Sequence, residues 1–438
     1  MQTPPALSVH ASETLLYFTL LQLAIIVLAG RLGGAAALRL GQTAAVGEIV
    51  MGILLGPSLL GLLAPQAFGY VFHSASGTPL QMLSQIGLIL LMFQIGLEFD
   101  FAHLRERQHR RAVLWIGLAS MVAPFALGLL FGAVSAPLLS PQSDHLASAL
   151  FVATAFSITA LPILGRILMD FGLARTPLGV VAISAAAIND VVGWLLLALV
   201  TTLTLSHFAP AAFTLKVALV LGFLLLCLKL VRPLLRGLIR RFQRGGEDLS
   251  AHLLGLVLAA VFASAMATYQ LGIFAIFGGF IMGVILHDEE RFVRAWKAQV
   301  GPFVLVFFLP IFFTYTGLRT DIGGLSSAAL WGWCALLVLL ATLGKFGGAY
   351  LAARLCGMRR AEAGVMGALM NTRALMELIV INVGYDLGAI SRHVFTMLVI
   401  MAIFSTVITA PLLRRWLPRA GYALPQAMPH EAAQRQAP

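Results

Sequence analysis

Long apolar runs separated by short polar connections recur along almost the whole chain. A helix needs about 20 mostly apolar residues to cross a bilayer, and that template finds thirteen candidate spans, at about 13–31, 44–64, 79–97, 112–134, 146–169, 177–203, 212–231, 251–269, 271–287, 301–318, 328–353, 362–385 and 394–416. The fold class expected is an all-α polytopic membrane protein with about 13 transmembrane helices. The connections, of which 232–250 and 417–438 are the longest, are too short for an independent extramembrane core, which needs at least ~40 residues. Residues 1–13 precede the first span without Lys or Arg and without a convincing cleavage site, so a removable signal peptide is not expected.

Composition agrees. Of 438 residues, 60% are hydrophobic and 11% charged, and the mean hydropathy is +0.93, whereas a soluble globular chain is about 25% charged. That excludes a soluble enzyme. The net charge of +11 gains its meaning from position. Basic residues gather after the odd-numbered spans: Arg31 and Arg39; Arg105, Arg107, Arg110 and Arg111; Arg166 and Arg175; Arg232 to Arg244; Arg291, Arg294 and Lys297; Arg354, Arg359 and Arg360; Arg414, Arg415 and Arg419. The alternate connections carry only Lys216, Arg319 and Arg392. By the positive-inside rule the N-terminus is outside and the C-terminus cytoplasmic. The Arg clusters then face anionic lipid headgroups, not nucleic acid. The three cysteines lack CxxC spacing and the histidines lie mostly in connections, so neither a disulfide framework nor a metal cluster is implied.

Two pairs of segments superimpose without gaps. Gly47–Leu55 (GEIVMGILL) in span two matches Gly278–Leu286 (GGFIMGVIL) in span nine, and Gly96-Leu-Glu-Phe-Asp100 ending span three matches Gly317-Leu-Arg-Thr-Asp321 ending span ten. Both matches shift the span count by seven, an odd number, so matched helices run in opposite directions. This predicts an inverted-topology repeat, with repeat 1 at about 14–203, a linker helix at about 212–231 and repeat 2 at about 251–416, an arrangement that places a transport site near the midplane. Glycine-rich helices also resemble one another by composition alone; the common shift favours the repeat.

Such transporters build ion sites where paired helices lose their hydrogen bonds. Span five contains Thr154-Ala-Phe-Ser-Ile-Thr-Ala-Leu-Pro162, where Pro162 removes a donor beside Ser157 and Thr159; a plain proline kink would read the same. Span twelve, its repeat partner, places Asn371, Thr372 and Arg373 consecutively at mid-span, where each polar group must be satisfied internally or by water. Arg373 and Glu377, four apart, fit a structural ion pair.

Few ionisable residues lie deep in a span. Asp190, next to Asn189 near the middle of span six, is placed to carry proton and cation in competition on the same oxygens. Lys345 in span eleven lies about as deep. It is read as the charge that closes the site when no ion is bound, or as a fixed counter-charge, or as a snorkelling side chain. Glu48, at the start of span two, is expected near the interface as a helix-terminal carboxylate.

Taken together, GEIVMGILLGPSLLG (47–61), LILLMFQIGLEFD (88–100), TAFSITALP (154–162), Asn189-Asp190, LPIFFTYTGLRTDI (309–322), Gly344-Lys345 and MNTRALMELIVINVG (370–384) resemble the second family of the monovalent cation:proton antiporter superfamily, with its Kef-type and CHX-type exchangers. The likeness covers about residues 14–416. It implies an NhaA/NapA-like fold with a dimerisation domain, a core domain with two crossed, partly unwound helices, elevator-like alternating access, a homodimer and a bacterial inner (plasma) membrane. It implies that Asp190 binds Na+ or K+, with Lys345 as its cationic neighbour. Electrogenic members carry a second aspartate at the position of Asn189, so 1:1 electroneutral exchange is expected. Ala374 replaces the usual Gly after the Arg of the span-twelve motif, and the nucleotide-binding regulatory domain of many Kef-type members is not expected here. The resulting expectation is a secondary antiporter of Na+ or K+ against H+, not an enzyme, without cofactors. The alternative is a proton- or sodium-coupled transporter of a small organic solute on the same fold. A cation channel would need a filter loop, which the connections lack.

Overall fold

The computed structural model describes residues 9–42, 44–74, 76–97, 110–173, 176–205, 210–242, 249–271, 275–373 and 375–423. Glu98 to Asp100 of the repeat match, the basic residues Arg105, Arg107, Arg175 and Arg244, and Ala374 lie outside them. Each of the thirteen expected spans contains helix among its described residues. Among the described residues nine helical stretches are long and apolar enough to cross a bilayer, from Ala11–Arg39 to Arg392–Trp416. The other four expected spans are short or broken. Span two is Ala44–Leu54 followed by a short turn of helix at Leu60–Leu63, and span nine is Ala275–Leu286. Span five divides into His145–Ser157 and Leu161–Asp170, and span twelve into Arg360–Met370 and Leu375–Asp386. At 1.5 Å per residue the 13-residue half-helix is about 20 Å long, short of a ~30 Å hydrocarbon core.

The chain forms two compact units, each assembled from separate stretches. One comprises Met1–Leu40, Ala44–Phe101 and Ala198–Ser326; the other Gly41–Thr43, Ala102–Leu197 and Ser327–Pro438. Each unit therefore takes one part of each sequence repeat, and the divisions at Phe101 and Ser326 fall at corresponding points of the two repeats.

In the first unit, close backbone packing repeats the sequence match. A Cβ added to Gly96 would stand 2.9 Å from the Cα of Gly283, and one added to Gly283 would stand 2.7 Å from the Cα of Gly96. A Cβ on Gly317 would run into the carbonyl oxygen of Gly52 and stand 2.8 Å from the Cα of Ile53. The alignment pairs Gly52 with Gly283 and Gly96 with Gly317. The contact of spans three and nine is thus exchanged with that of spans ten and two, as an internal two-fold requires. Only residues without a side chain permit this approach. The same unit holds a cluster of Ile26, Phe68, Val71, Phe72, Leu80 and Ile311. Glu48, near the start of Ala44–Leu54, is buried at 6% exposure beside Gly34, because the helices Val9–Arg39 and Ala44–Leu54 pack closely there.

In the second unit, spans four, five, six, eleven, twelve and thirteen supply the helices Arg110–Leu139, His145–Ser157 with Leu161–Asp170, Pro177–Leu205 as far as Leu197, Ala328–Leu355, Arg360–Met370 with Leu375–Asp386, and Arg392–Trp416. Side-chain caps fix where several of them begin. Asp144 accepts from Ala147 N at 2.7 Å, Ser327 from Leu330 N at 3.2 Å and Ser391 from Val394 N at 3.3 Å. Every site residue expected from the sequence falls within this unit.

Candidate ion site at two broken helices

Span five loses its helix at Ile158, which turns extended (φ −76°, ψ 145°), and regains it at Leu161. Pro162 is the second residue of the resuming half-helix, a position where the missing N–H removes no helical bond. The proline thus begins a new helix where the sequence alone also allowed a kink in a continuous one. Span twelve loses its helix after Asn371 (φ −79°, ψ 0°) and is helical again from Leu375.

The two interruptions meet. Ala160 N donates to Thr372 O at 3.1 Å, and the Thr159 hydroxyl donates to Met370 O at 3.4 Å. Backbone groups that the breaks strip of helical partners must be satisfied within a membrane protein, and here two cations do so. Breaking the helix at 158–160 frees the carbonyls of Ala155, Phe156 and Ser157. Arg373 donates from Nη1 to Ala155 O at 2.7 Å and from Nη2 to Phe156 O at 2.8 Å. Lys345 Nζ donates to Ser157 O. A guanidinium and an ammonium therefore cap the negative end of one half-helix dipole. Arg373 further reaches Ala341 O of span eleven at 3.1 Å and Glu377 Oε1 at 3.3 Å. Its four Nη hydrogens are all directed at acceptors, a use of the planar fork that lysine cannot match.

Asn189 and Asp190 lie on span six, fully buried. Asn189 Nδ2 donates to the Ser120 hydroxyl at 2.9 Å and to Thr159 Oγ1 at 3.0 Å, fastening the span-five break to span four. Among the described residues neither oxygen of Asp190, nor Oδ1 of Asn189, has a hydrogen-bond partner. The Leu161 amide, which opens the second half-helix, faces the Asp190 carboxylate and Lys345 acts on it through its charge, but neither meets it with full hydrogen-bond geometry. The sequence expected Lys345 as the cationic neighbour of Asp190. Lys345 acts on Asp190 through its charge, and its hydrogen bond goes to Ser157 O.

The structure thus brings together Ser157, Thr159, Asn189, Lys345, Thr372, Arg373 and Glu377 by direct contacts. The Ser157 hydroxyl itself turns back to Thr154 O at 2.9 Å, so that residue contributes its carbonyl. Asn371 is buried at the break, and its side chain has no partner among the described residues. Ser120, Ala341 and Thr406 were not singled out in the sequence. A hydroxyl or a carbonyl on a continuous transmembrane helix carries no local mark.

The comparisons bear on what this arrangement is. Residues 23–417 match the sodium/hydrogen exchanger transmembrane family. The Na+/H+ antiporter NhaS4 of Synechocystis is 40% identical over 398 residues, 90% of this chain and 96% of that protein. The K+/H+ antiporter 1 of Saccharomyces cerevisiae is 31% identical, but the chain spans only 43% of its length. The sodium proton antiporter MjNhaP1 of Methanocaldococcus jannaschii has the same fold, with a TM-score of 0.64 at 15% identity, covering 93% of this chain and 99% of that one. The match over nearly the full transmembrane region makes this chain a member of the sodium/hydrogen exchanger family of integral multi-pass membrane proteins.

Proposed function

We propose that the protein is a secondary active antiporter that exchanges a monovalent cation, Na+ or K+, for H+, with Asp190 taking cation or proton in competition. The observation that carries this reading is a fully buried carboxylate, both of whose oxygens have no hydrogen-bond partner among the described residues, beside two helix breaks that meet. An ionised carboxylate in such a place is costly unless a positive charge reaches it. A proton or a bare cation meets that need on the same oxygens, and one excludes the other. Alternating access to either side then couples the two fluxes.

Asn189 supports a 1:1 exchange, since it supplies an amide where a second carboxylate would carry a second charge. Its free Oδ1 and the remaining lone pair of Thr159 Oγ1 are oxygen donors of the kind that replace the hydration shell of Na+ or K+. Lys345, Arg373 and Glu377 are the charge-compensating set, and Pro162, Asn371 and Thr372 shape the breaks. No cofactor enters the scheme: cation and proton are the cargo. The names of the cyanobacterial and yeast relatives agree with it. We place the N-terminus outside and the C-terminus in the cytoplasm of a bacterial inner membrane, as a homodimer in lipid, with repeats at about 14–203 and 251–416 joined by a linker helix.

The test is reconstitution in liposomes, pulses of Na+, K+ or Li+, and a record of internal pH, with Asp190→Asn alongside. Cation-dependent alkalinisation or acidification in the wild type and none in the variant is expected. Proton movement by Asp190→Asn at the wild-type rate would sink the reading.

A further inference from the structure

Arg373 makes four side-chain hydrogen bonds from a backbone that is not helical, and something must hold that backbone still. In a continuous helix its N–H would go to Leu369 O, but that carbonyl is occupied by the Thr372 N–H at 3.1 Å and the Thr372 hydroxyl at 2.7 Å. Thr406 of span thirteen supplies the missing partner. Its Oγ1 accepts from Arg373 N at 3.3 Å and lies in donor contact with Arg373 O and, at 2.9 Å, with Ala402 O of its own helix. Thr406 is buried, at 2% exposure. One turn on, Thr409 Oγ1 approaches Ala368 O at 3.5 Å, so the same helix face follows the end of the first half of span twelve.

The internal repeat gives this contact a counterpart. Span thirteen corresponds to span six, and span twelve to span five. Asn189 on span six donates to Thr159 in the break of span five, and Thr406 on span thirteen holds Arg373 in the break of span twelve. The last helix of each repeat therefore sends one polar side chain to the interrupted segment of the helix before it.

We propose that Thr406 is a positioning residue for ion exchange. It touches neither cation nor proton. By fixing the backbone of Arg373 it aims the guanidinium at Ala155, Phe156 and Ala341, and so sets the end of the span-five half-helix, to which Lys345 is also bonded beside Asp190. This rests on the antiport reading for its transport consequences, and on geometry alone for the pinning itself.

The experiment compares Thr406→Val, which keeps the volume and removes the hydroxyl, with Thr406→Ser, which keeps the oxygen. Hydrogen exchange followed by mass spectrometry on the full chain reads the pinning directly. A buried N–H left without its partner should make the peptide spanning 371–377 exchange about tenfold faster in Thr406→Val, with Thr406→Ser at the wild-type rate. In liposomes Thr406→Val should raise the apparent KM for cation about tenfold and displace the pH profile, with Vmax nearly unchanged, and Thr406→Ser should restore both. Thr406→Ala carries the same test where the Val variant fails to fold. Wild-type exchange kinetics of the peptide in Thr406→Val, an unchanged KM and pH profile, or a Ser variant as impaired as the Val variant would each overturn the proposal. A wild-type protein that moves no protons would instead overturn the antiport reading, and the hydrogen-exchange arm would still decide the role of Thr406.

Discussion

Arg373 and Phe156, 217 residues apart in the chain, are joined by a 2.8 Å hydrogen bond from the guanidinium to a backbone carbonyl. The bond exists because span five gives up its helix at Ile158, one residue before Thr159 makes contact with span twelve. The freed carbonyls point toward the other interrupted span, and the buried guanidinium meets two of them at once. What reads in sequence as an ion pair with Glu377 is in three dimensions a fastening between two broken helices, with the carboxylate as only one of four acceptors.

Arg373→Ala should therefore be severe. It strands Glu377 in the core and leaves the Ala155 and Phe156 carbonyls without partners, a loss of about 3–5 kcal/mol for breaking a buried pair. Arg373→Lys should recover only part of it, because an ammonium cannot span Ala155, Phe156 and Ala341 together. Unfolding of the purified variants in detergent, by denaturant or heat, checks the order wild type, Lys, Ala.

The glycine contacts of the first unit make a stability prediction free of charge effects. Gly96→Ala and Gly283→Ala each place a Cβ within 3 Å of the other residue's Cα, so the backbones must part, at about 1–3 kcal/mol. Gly222→Ala meets nothing within 4 Å and should be neutral or slightly stabilising in a helix. A thermal-shift comparison of the three variants decides it, and equal melting temperatures for all would refute the packing argument.

Competition at one carboxylate fixes the sign of the pH dependence. As pH falls, a larger share of Asp190 carries a proton, so the apparent KM for cation should rise with proton concentration while Vmax holds. Initial rates over a grid of cation concentration and pH test this. A Vmax that falls with acidification at constant KM would place the proton somewhere other than the cation.

Asn189→Asp adds a second buried carboxylate beside the first. Exchange should then respond to an imposed membrane potential under clamped ion gradients, whereas the wild-type rate should not. A potential-sensitive wild type would contradict 1:1 exchange.

Much of this was legible in the sequence because the membrane enforces it. Spans announce themselves by length and apolarity. Asp190, Lys345 and Arg373 stand out because charge is rare in hydrocarbon. The break of span twelve was visible in three consecutive polar residues. Which groups Arg373 and Lys345 reach was not legible, since their acceptors are the carbonyls of Ala155, Phe156, Ser157 and Ala341, and a backbone oxygen has no signature in its residue type. For the same reason the sequence points to Lys345 as a charge near Asp190 but not to its hydrogen bond with Ser157 O. The burial of Glu48 beside Gly34 was not legible either, since it comes from the packing of two helices far from any local signal. Thr406 is one hydroxyl among several on span thirteen, with nothing in its residue type to set it apart.

The central claim is that cation and proton exclude one another at Asp190. Proton release on cation binding tests it without any transport step: purified protein in detergent, in weakly buffered solution, is titrated with Na+ or K+ and the protons set free are counted. The account predicts one proton released per chain at saturation and none from Asp190→Asn. Binding of cation without proton release, or undiminished release from Asp190→Asn, would contradict it.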